Sequence, residues 1–289
     1  MPLDPALAEQ AFATLDTGLT LAQRVQYAWL MGLHNVAEGL LDISIRRGID
    51  PREFSLVAYG AAGPMLLPGL LDLVPLRRVI VPPHPGHFSA LGLLSADQVY
   101  SDHRSAYTVL TPDVAPAIDQ MFHAMEAALL DRVGSGLDSV VVQRSFDGRL
   151  YGQSFETPFV EVPSGSITEE SVALMIQRFH DVYEQRNGNR FDTIPVQGVT
   201  YRVQVIVPSD KVGYTPLPAS DAGPPTPDGA VTLRYLYGTD TVAAEYEREQ
   251  LRPGHQVAGP AIVREETSTT FVPAGRHAAV GAFGELIIE

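Results

Sequence analysis

Hydrophobic positions recur at three- and four-residue intervals between residues 20 and 47, which is typical of one long helix. The apolar stripe predicted by this spacing runs through Leu21, Val25, Ala28, Gly32, Val36, Gly39, Leu40 and Ile43. Thr20 is suited to cap the start of the helix, and Gly48 to end it in a left-handed conformation.

Beyond this helix, short apolar runs of strand length alternate with helical patterns. Residues 54–59 and 78–81 are predicted strands, and a helical pattern follows the glycine-containing segment 60–64 as far as residue 73. Alternation of this kind with short connections is the α/β pattern. We therefore predict an α/β domain over residues 1–97.

The pattern changes near residue 100, where helices and strands no longer alternate. Helices are predicted over 115–133 and 168–185, and strands over 107–110, 139–146 and 201–207. Asp147-Gly148 is a turn signal, so 139–146 and 149–162 are expected to form a hairpin. Residues 98–210 are thus predicted to form an α+β domain.

Prolines mark the next boundary. Six of them lie between residues 208 and 229, which indicates a linker that we assign to 211–229. Residues 230–289 are rich in Val, Thr, Tyr and Ile with Gly and Pro between the runs, and predict a small all-β module. The chain as a whole is predicted to be α+β.

Composition excludes several classes of function. The 289 residues are 45% hydrophobic, enough for a sizeable core, and their formal charge of −14 argues against binding to nucleic acid or to an anionic membrane. Lys211 is the only lysine and there is no cysteine, which disfavours Schiff-base chemistry and excludes thiolate nucleophiles and disulfides. Without a signal peptide or a run of about 18 apolar residues, we expect a cytoplasmic protein.

Segment 60–64 is the first candidate site, because small residues follow a predicted strand and precede a predicted helix. Gly60, Ala61, Ala62, Gly63 and Pro64 would allow a nucleotide to approach the backbone and the free N–H groups of the helix start. A tight strand-to-helix turn, with the glycines present only for packing, explains the same residues.

A second polar group contains His84, His87 and Ser89, followed by Asp102 and Arg104. The two histidines, with Asp102 or a neighbouring histidine, have donor atoms suitable for Zn or Mn. Alternatively, a turn at Pro85-Gly86 places the two imidazoles on different sides. Asp102 and Arg104 are expected to form an ion pair or to clamp a ligand carboxylate.

A third group is Tyr151, Gln153 and Glu156 on the predicted hairpin. These side chains would orient a substrate amide, or they are the hydrated face of an antiparallel sheet. Near the C-terminus, Glu265, Ser268 and Thr269 are expected at a turn with a structural role.

Taken together and in order, these stretches resemble one family. The segments 59–64, 79–92, 102–104, 151–156 and 259–270 are similar to the A-type subunit of the hydantoinase/oxoprolinase family. The resemblance implies the C-terminal half of an actin-like, sugar-kinase-like ATPase domain, with segment 60–64 on the adenosine side. It also implies ATP with Mg²⁺ or Mn²⁺, a B-type partner subunit, and Zn²⁺ in a partner as a further option.

The resemblance covers only the C-terminal part of the family's polypeptide. The acidic-Gly-Gly-Thr phosphate loop of the N-terminal half is missing, so either a partner subunit supplies it or the chain is a fragment; Met1 favours a split protein. Ala61 replaces a family glycine, and Met65-Leu66-Leu67 stands where the family has a histidine.

Three functions follow from the resemblance. One is a subunit of an ATP-dependent ketone carboxylase of the acetophenone carboxylase type, and another is a subunit of an ATP-dependent cyclic amidase of the hydantoinase or 5-oxoprolinase type. The third is a non-catalytic assembly subunit.

Overall fold

The computed structural model describes residues 4–134, 139–219 and 224–289. Its helices are α1 Pro5–Ala13, α2 Leu21–Arg46, α3 Gly63–Leu66, α4 Phe88–Leu94, α5 Ala115–Val133 and α6 Glu169–Asn187. Its strands are β1 Ser55–Val57, β2 Arg78–Val81, β3 Gln98–Val109, β4 Val141–Leu150, β5 Thr157–Glu161, β6 Val196–Val207, β7 Gly229–Leu233, β8 Thr241–Glu247, β9 Gln256–Ala258, β10 Ala261–Arg264, β11 Thr269–Val272, β12 His277–Val280 and β13 Leu286–Ile288. Within the described ranges, no helix is both long and apolar enough to cross a membrane.

The chain divides into two compact units. The first combines the residues up to Leu94 with those from Val212 onward, and the second runs from Ser95 to Lys211. The second unit nearly coincides with the α+β domain expected over 98–210.

The first unit contains two sheets that draw on both ends of the chain. One has the order β1-β2-β13-β12-β9, with β1 and β2 parallel and β13 antiparallel to β2; the other has the order β11-β10-β8-β7. We expected residues 230–289 to be a separate module, but β13 fills the edge of β2 with a register of Leu286 opposite Val81. The N-terminal α/β segment and the C-terminal strands therefore share one core, which includes Val79, Val257 and Ile288.

In its described residues 211–219 and 224–228 the proline-rich segment contains no helix or strand, and Gly229 already begins β7. The segment lies alongside the first unit, where the Leu217 N–H donates to the Ala282 carbonyl over 2.8 Å. Residues 220–223 of the predicted linker lie outside the described residues.

The long helix α2 has the predicted ends but not the predicted buried face. Thr20 forms a capping box with Gln23, and Gly48 adopts a φ of +64° after the last turn. The buried residues are Leu33 and Ala37, however, whereas Val36 and Ile43 of the predicted stripe are 40% and 58% exposed. The helix carries apolar residues on two faces, and contact with the segment 67–76 decides which of them is buried.

The second unit is an antiparallel sheet of order β3-β6-β4-β5 that shares a core with α5 and α6. The predicted helix 115–133 is confirmed, and its residues Ile118, Phe122, Met125 and Leu129 are buried as expected. The ring of Phe122 packs edge-on against Tyr201 of β6 at 5.8 Å between centroids.

The predicted hairpin turn at Asp147-Gly148 is wrong. Strand β4 continues through both residues to Leu150, and the turn to β5 is made by residues 151–156. The Asp147 carboxylate is buried and accepts the Phe159 N–H, and a Cβ on Gly148 would lie 2.7 Å from the Phe179 ring. Asp147 and Gly148 are thus required inside β4, where the register between β4 and β6 shifts.

Candidate functional site

Two of the predicted motifs lie side by side because they follow two neighbouring parallel strands. β1 leads into Gly60 and β2 into His84, and the register pairs Ser55 with Arg78. In parallel sheets the carboxyl ends of adjacent strands meet at one edge, which is where ligands usually bind. The Gly60 N–H donates to the Pro85 carbonyl over 2.8 Å, and this bond joins the two loops directly.

The glycine-containing turn is open and built from small residues. Gly60 has a φ of +80°, a conformation that favours glycine even though the space around it is free. The side chains of Ala61 and Ala62 are exposed. In the described part of the chain no hydrogen bond uses the N–H groups of Ala61, Ala62 and Gly63, so three successive backbone donors are available to a ligand.

The helix after this turn offers fewer free N–H groups than the sequence indicated. α3 has four residues, Pro64 has no N–H, and the N–H groups of Met65 and Leu66 both bond to the Ala62 carbonyl. The donors therefore come from the turn and not from a helix terminus. Met65, which follows Pro64, is exposed.

The second loop carries the histidines. His84 has a φ of 49° and ψ of 54°, a left-handed conformation that is unusual for a residue before proline. His84, His87 and Ser89 are all exposed, and the ring of Phe88 packs against Tyr59 at 5.3 Å. Within residues 4–134, 139–219 and 224–289, no cluster of three or more His, Asp or Glu side chains is placed to hold a metal.

A third loop, between β10 and β11, supports the first two. The Ser268 hydroxyl donates to the Gly60 carbonyl over 3.2 Å, and the Glu265 N–H donates to the Ser268 carbonyl over 3.0 Å. A Cβ on Gly86 would lie 2.3 Å from the Thr267 hydroxyl oxygen, so glycine is required where these loops touch. The predicted turn and its structural role for Glu265 and Ser268 agree with this arrangement, whereas Thr269 already belongs to β11. The sequence did not indicate what the turn supports.

A buried ion pair beside the second and third loops was not indicated by the sequence. The side chains of Arg248 and Glu265 are only 10% and 8% exposed and lie 3.2 Å apart. Arg248 also donates to the Gly284 carbonyl at 2.6 Å and to the Val81 carbonyl at 3.3 Å. Burial raises the pKa of Glu265, and the nearby charges of Arg248 and His84 offset part of that rise.

The remaining candidates lie in the second unit. Asp102 accepts the N–H of His103 over 2.8 Å, and among the described residues no ion pair joins it to the exposed Arg104. The expected Asp102–Arg104 pair is therefore not formed.

The predicted hairpin group lies in the turn between β4 and β5 rather than on a strand. Tyr151 and Glu156 are exposed, whereas Gln153 donates its amide to the Tyr183 hydroxyl over 2.9 Å. The amide oxygen of Gln153 is buried and has no hydrogen-bond partner among the residues that the structure describes. Gln153 thus fastens the turn to α6.

Two family models match this chain. The hydantoinase/oxoprolinase family model matches residues 1–102, and the model of the hydantoinase/oxoprolinase C-terminal domain matches residues 120–285.

Three relatives illustrate the similarity. An uncharacterized protein of Methanocaldococcus jannaschii, MJ0964, is 28% identical over 88% of this chain and 36% of its own length. The acetone carboxylase beta subunit of Xanthobacter autotrophicus is 26% identical over 79% of this chain and 34% of its own length. The caprolactamase subunit alpha of Pseudomonas jessenii is 24% identical over 83% of this chain and 36% of its own length.

Solved structures share the fold. A nucleotide-free acetone carboxylase superposes with a TM-score of 0.82 at 20% identity, and the ATP-dependent caprolactamase of Pseudomonas jessenii with a TM-score of 0.76 at 19% identity. Each comparison covers 99% of this chain and 43% of the other. The chain thus spans about a third of its curated relatives' length, and the expected mixed α+β fold is confirmed by its likeness to both solved structures. The chain belongs to the hydantoinase/oxoprolinase family.

Proposed function

We propose that this chain supplies one side of the nucleotide site of an ATP-dependent enzyme that activates a carbonyl substrate. The observation that carries the proposal is the open turn at Ala61, Ala62 and Gly63, with three unused N–H groups and small side chains at the carboxyl edge of two parallel strands. Backbone donors and a surface without bulky side chains are what a nucleotide requires of a binding loop.

The favoured reaction is ATP-dependent carboxylation of a ketone, as in an acetophenone carboxylase. Loss of an α-proton and transfer of the γ-phosphoryl group of ATP to the enolate oxygen would release ADP and give an enol phosphate. When the α-carbon of this ester bonds to CO₂, water takes up the phosphoryl group as phosphate and the ketone C=O is restored. Acetone and acetophenone carboxylase subunits are both 26% identical to this chain, over 79% and 100% of it. His84, His87 and Ser89 lie exposed beside the turn and are our candidates for contacts with substrate or with a partner.

A partner is needed for the rest of the site. The turn can contact one side of a nucleotide, and a segment with a phosphate loop must contact the other. Since the described residues provide no cluster of metal ligands around the turn, we assign the ligands of Mg²⁺ or Mn²⁺ to that partner segment. The metal would neutralise phosphate charge there. A B-type subunit completes the proposed complex.

Hydrolysis of a cyclic amide is the second candidate. It is favoured by the similarity to caprolactamase, whose structure superposes with a TM-score of 0.76. The same turn would serve both reactions, because in both ATP activates an oxygen of the substrate.

The test is purification of the tagged chain with its partners from the native cell, followed by assays of ATP hydrolysis. Stimulation by a ketone with bicarbonate supports the carboxylase, and stimulation by a cyclic amide supports the amidase. In the assembled complex, Ala62→Arg should weaken ATP binding at least about tenfold by obstructing the turn. The control Ala274→Arg, at another exposed alanine of the same unit, should leave it unchanged. Unaltered ATP affinity in Ala62→Arg would point instead to an assembly subunit.

A further inference from the structure

The second unit contains a cleft of about 640 Å³ that belongs to none of the sequence motifs. Residues of α5, β4 and β5 line it, among them Glu126, Val142, Arg144, Phe159 and Glu161. Its volume is in the range of specific ligand sites.

A free strand edge lies in this cleft. The Val162 N–H donates to the Arg144 carbonyl over 3.0 Å, so the backbone polar groups of Arg144 point towards β5. Because these groups alternate sides along a strand, those of Val142 point the same way. Strand β5 ends at Glu161, so its pairing with β4 does not reach Val142. Within the described ranges, the N–H and C=O of Val142 make no hydrogen bond on that side.

The wall of the cleft contains an aromatic ring held in a strained backbone conformation. Phe159 has a φ of +60° and is 64% exposed, although bulky residues avoid this region. The buried carboxylate of Asp147 accepts the Phe159 N–H over 3.0 Å and pairs with Arg202. The Arg202 guanidinium lies 4.8 Å from the centre of the Phe159 ring. Strain that persists with such support indicates a role for the exposed ring.

The charges in the cleft indicate the character of its ligand. Arg144 is nearly buried and uses its guanidinium on both oxygens of Glu126 and on the Gly165 carbonyl. The Glu161 carboxylate is left largely in solvent, with its side chain 78% exposed and only a distant contact of 3.5 Å to Arg178. A basic group on the ligand therefore complements the cleft.

We propose that this cleft binds an extended polypeptide segment of a partner subunit. The segment would add to the β4 edge at Val142, pack an apolar side chain on Phe159 and place a Lys or Arg near Glu161. Acetone carboxylase and caprolactamase relatives are named as subunits, so a partner chain is available to supply it. The proposal does not depend on the reaction assigned to the glycine turn.

The test uses the whole chain and a blocked octapeptide of alternating valine and lysine, measured by calorimetry and by hydrogen exchange of the Val142 amide. We expect binding and protection of that amide. The same peptide with alternate backbone nitrogens methylated keeps its side chains but cannot pair with the edge, so it should bind at least about tenfold more weakly. Equal binding of the methylated peptide, an unprotected Val142, or no binding at millimolar concentration would overturn the proposal. Binding of blocked lysine alone as tightly as the octapeptide would do the same, since it would mean a small-molecule site.

A variant separates binding from folding. Glycine tolerates a positive φ, so Phe159→Gly should keep or raise the unfolding temperature of the chain. The same variant should bind the octapeptide about tenfold more weakly. The matched control is Tyr235→Gly in the first unit, where φ is 59°; it should relieve strain equally and leave peptide binding unchanged. Unchanged peptide affinity in Phe159→Gly would show that the ring has no role in binding.

Discussion

The hydroxyl of Ser268 donates a hydrogen bond to the carbonyl oxygen of Gly60 over 3.2 Å, although 208 residues separate them in the sequence. This bond and the one from the Gly60 N–H to Pro85 hold the glycine turn on both sides. The turn is therefore set by two other loops of the first unit.

Ser268→Ala should loosen the turn. The hydroxyl is nearly buried, and its loss leaves the Gly60 carbonyl short of a donor, so we expect the free energy of unfolding to fall by about 1 kcal/mol. In the assembled enzyme, ATP binding should weaken as well. The control Ser209→Ala removes an exposed hydroxyl-to-carbonyl bond and should have a smaller effect in chemical denaturation. Equal losses for the two variants would contradict the special role of Ser268.

Gly86→Ala should be destabilising because its Cβ would lie 2.3 Å from the Thr267 hydroxyl oxygen and 3.0 Å from the Thr267 carbonyl oxygen. One of the two loops must move, at a cost of about 1–3 kcal/mol in the free energy of unfolding. The matched control is Gly92→Ala in α4, where no atom lies within 4 Å. Alanine should stabilise that helix by about 0.5–1 kcal/mol. Thermal and denaturant unfolding of both variants measures the contrast, and a neutral Gly86→Ala would refute it.

Arg248→Met should destabilise the first unit in a pH-dependent way. Burial raises the pKa of Glu265 above its ordinary value of 4.5, so the folded chain holds that proton more tightly than the unfolded chain. Stability contributed by this group is complete below 4.5 and falls as the pH rises through the folded pKa. Without the Arg248 charge, the pKa of Glu265 should rise further in the folded chain. The variant's free energy of unfolding should therefore be lower by about 3–5 kcal/mol at neutral pH, and by less towards pH 4.5.

Denaturant unfolding across this pH range checks that prediction. Its control is Arg46→Met, which breaks the Arg46–Asp42 pair on the surface of α2, where both side chains are mostly in solvent. That variant should show little loss at any pH. An Arg248→Met effect that is equally large at acidic and neutral pH would exclude Glu265 as its cause.

Tyr201→Phe should be neutral or stabilising. The Tyr201 hydroxyl is buried without a hydrogen-bond partner of good geometry, and burial raises its pKa to about 12, with a partial offset from Thr108. Removing it relieves a desolvation cost, for a change between zero and about 1 kcal/mol in favour of folding. In the matched variant Tyr183→Phe, the lost hydroxyl accepts the Gln153 amide, so about 1 kcal/mol should be lost instead. The order of the two unfolding free energies is the test.

Sequence signals predicted the structure correctly where residues close in sequence determine it. The ends of α2 at Thr20 and Gly48 and the whole of α5 follow from capping residues and helical spacing, and the structure has them as predicted. Asp147-Gly148 is the instructive error. Both residues favour turns, but here the Asp147 carboxylate accepts the Phe159 N–H and Gly148 leaves room for the Phe179 ring. Neither Phe159 nor Phe179 is near the pair in sequence.

The sequence by itself determined the helices with clear caps, the strand over 78–81, and the motifs by which the family can be recognised. The tertiary structure alone decided which face of α2 is buried, that β13 pairs with β2, and that Arg248 is buried against Glu265 and the end of β2. Caps and hydrophobic spacing act within a few residues, whereas strand pairing and a buried ion pair join groups whose proximity only the folded chain creates.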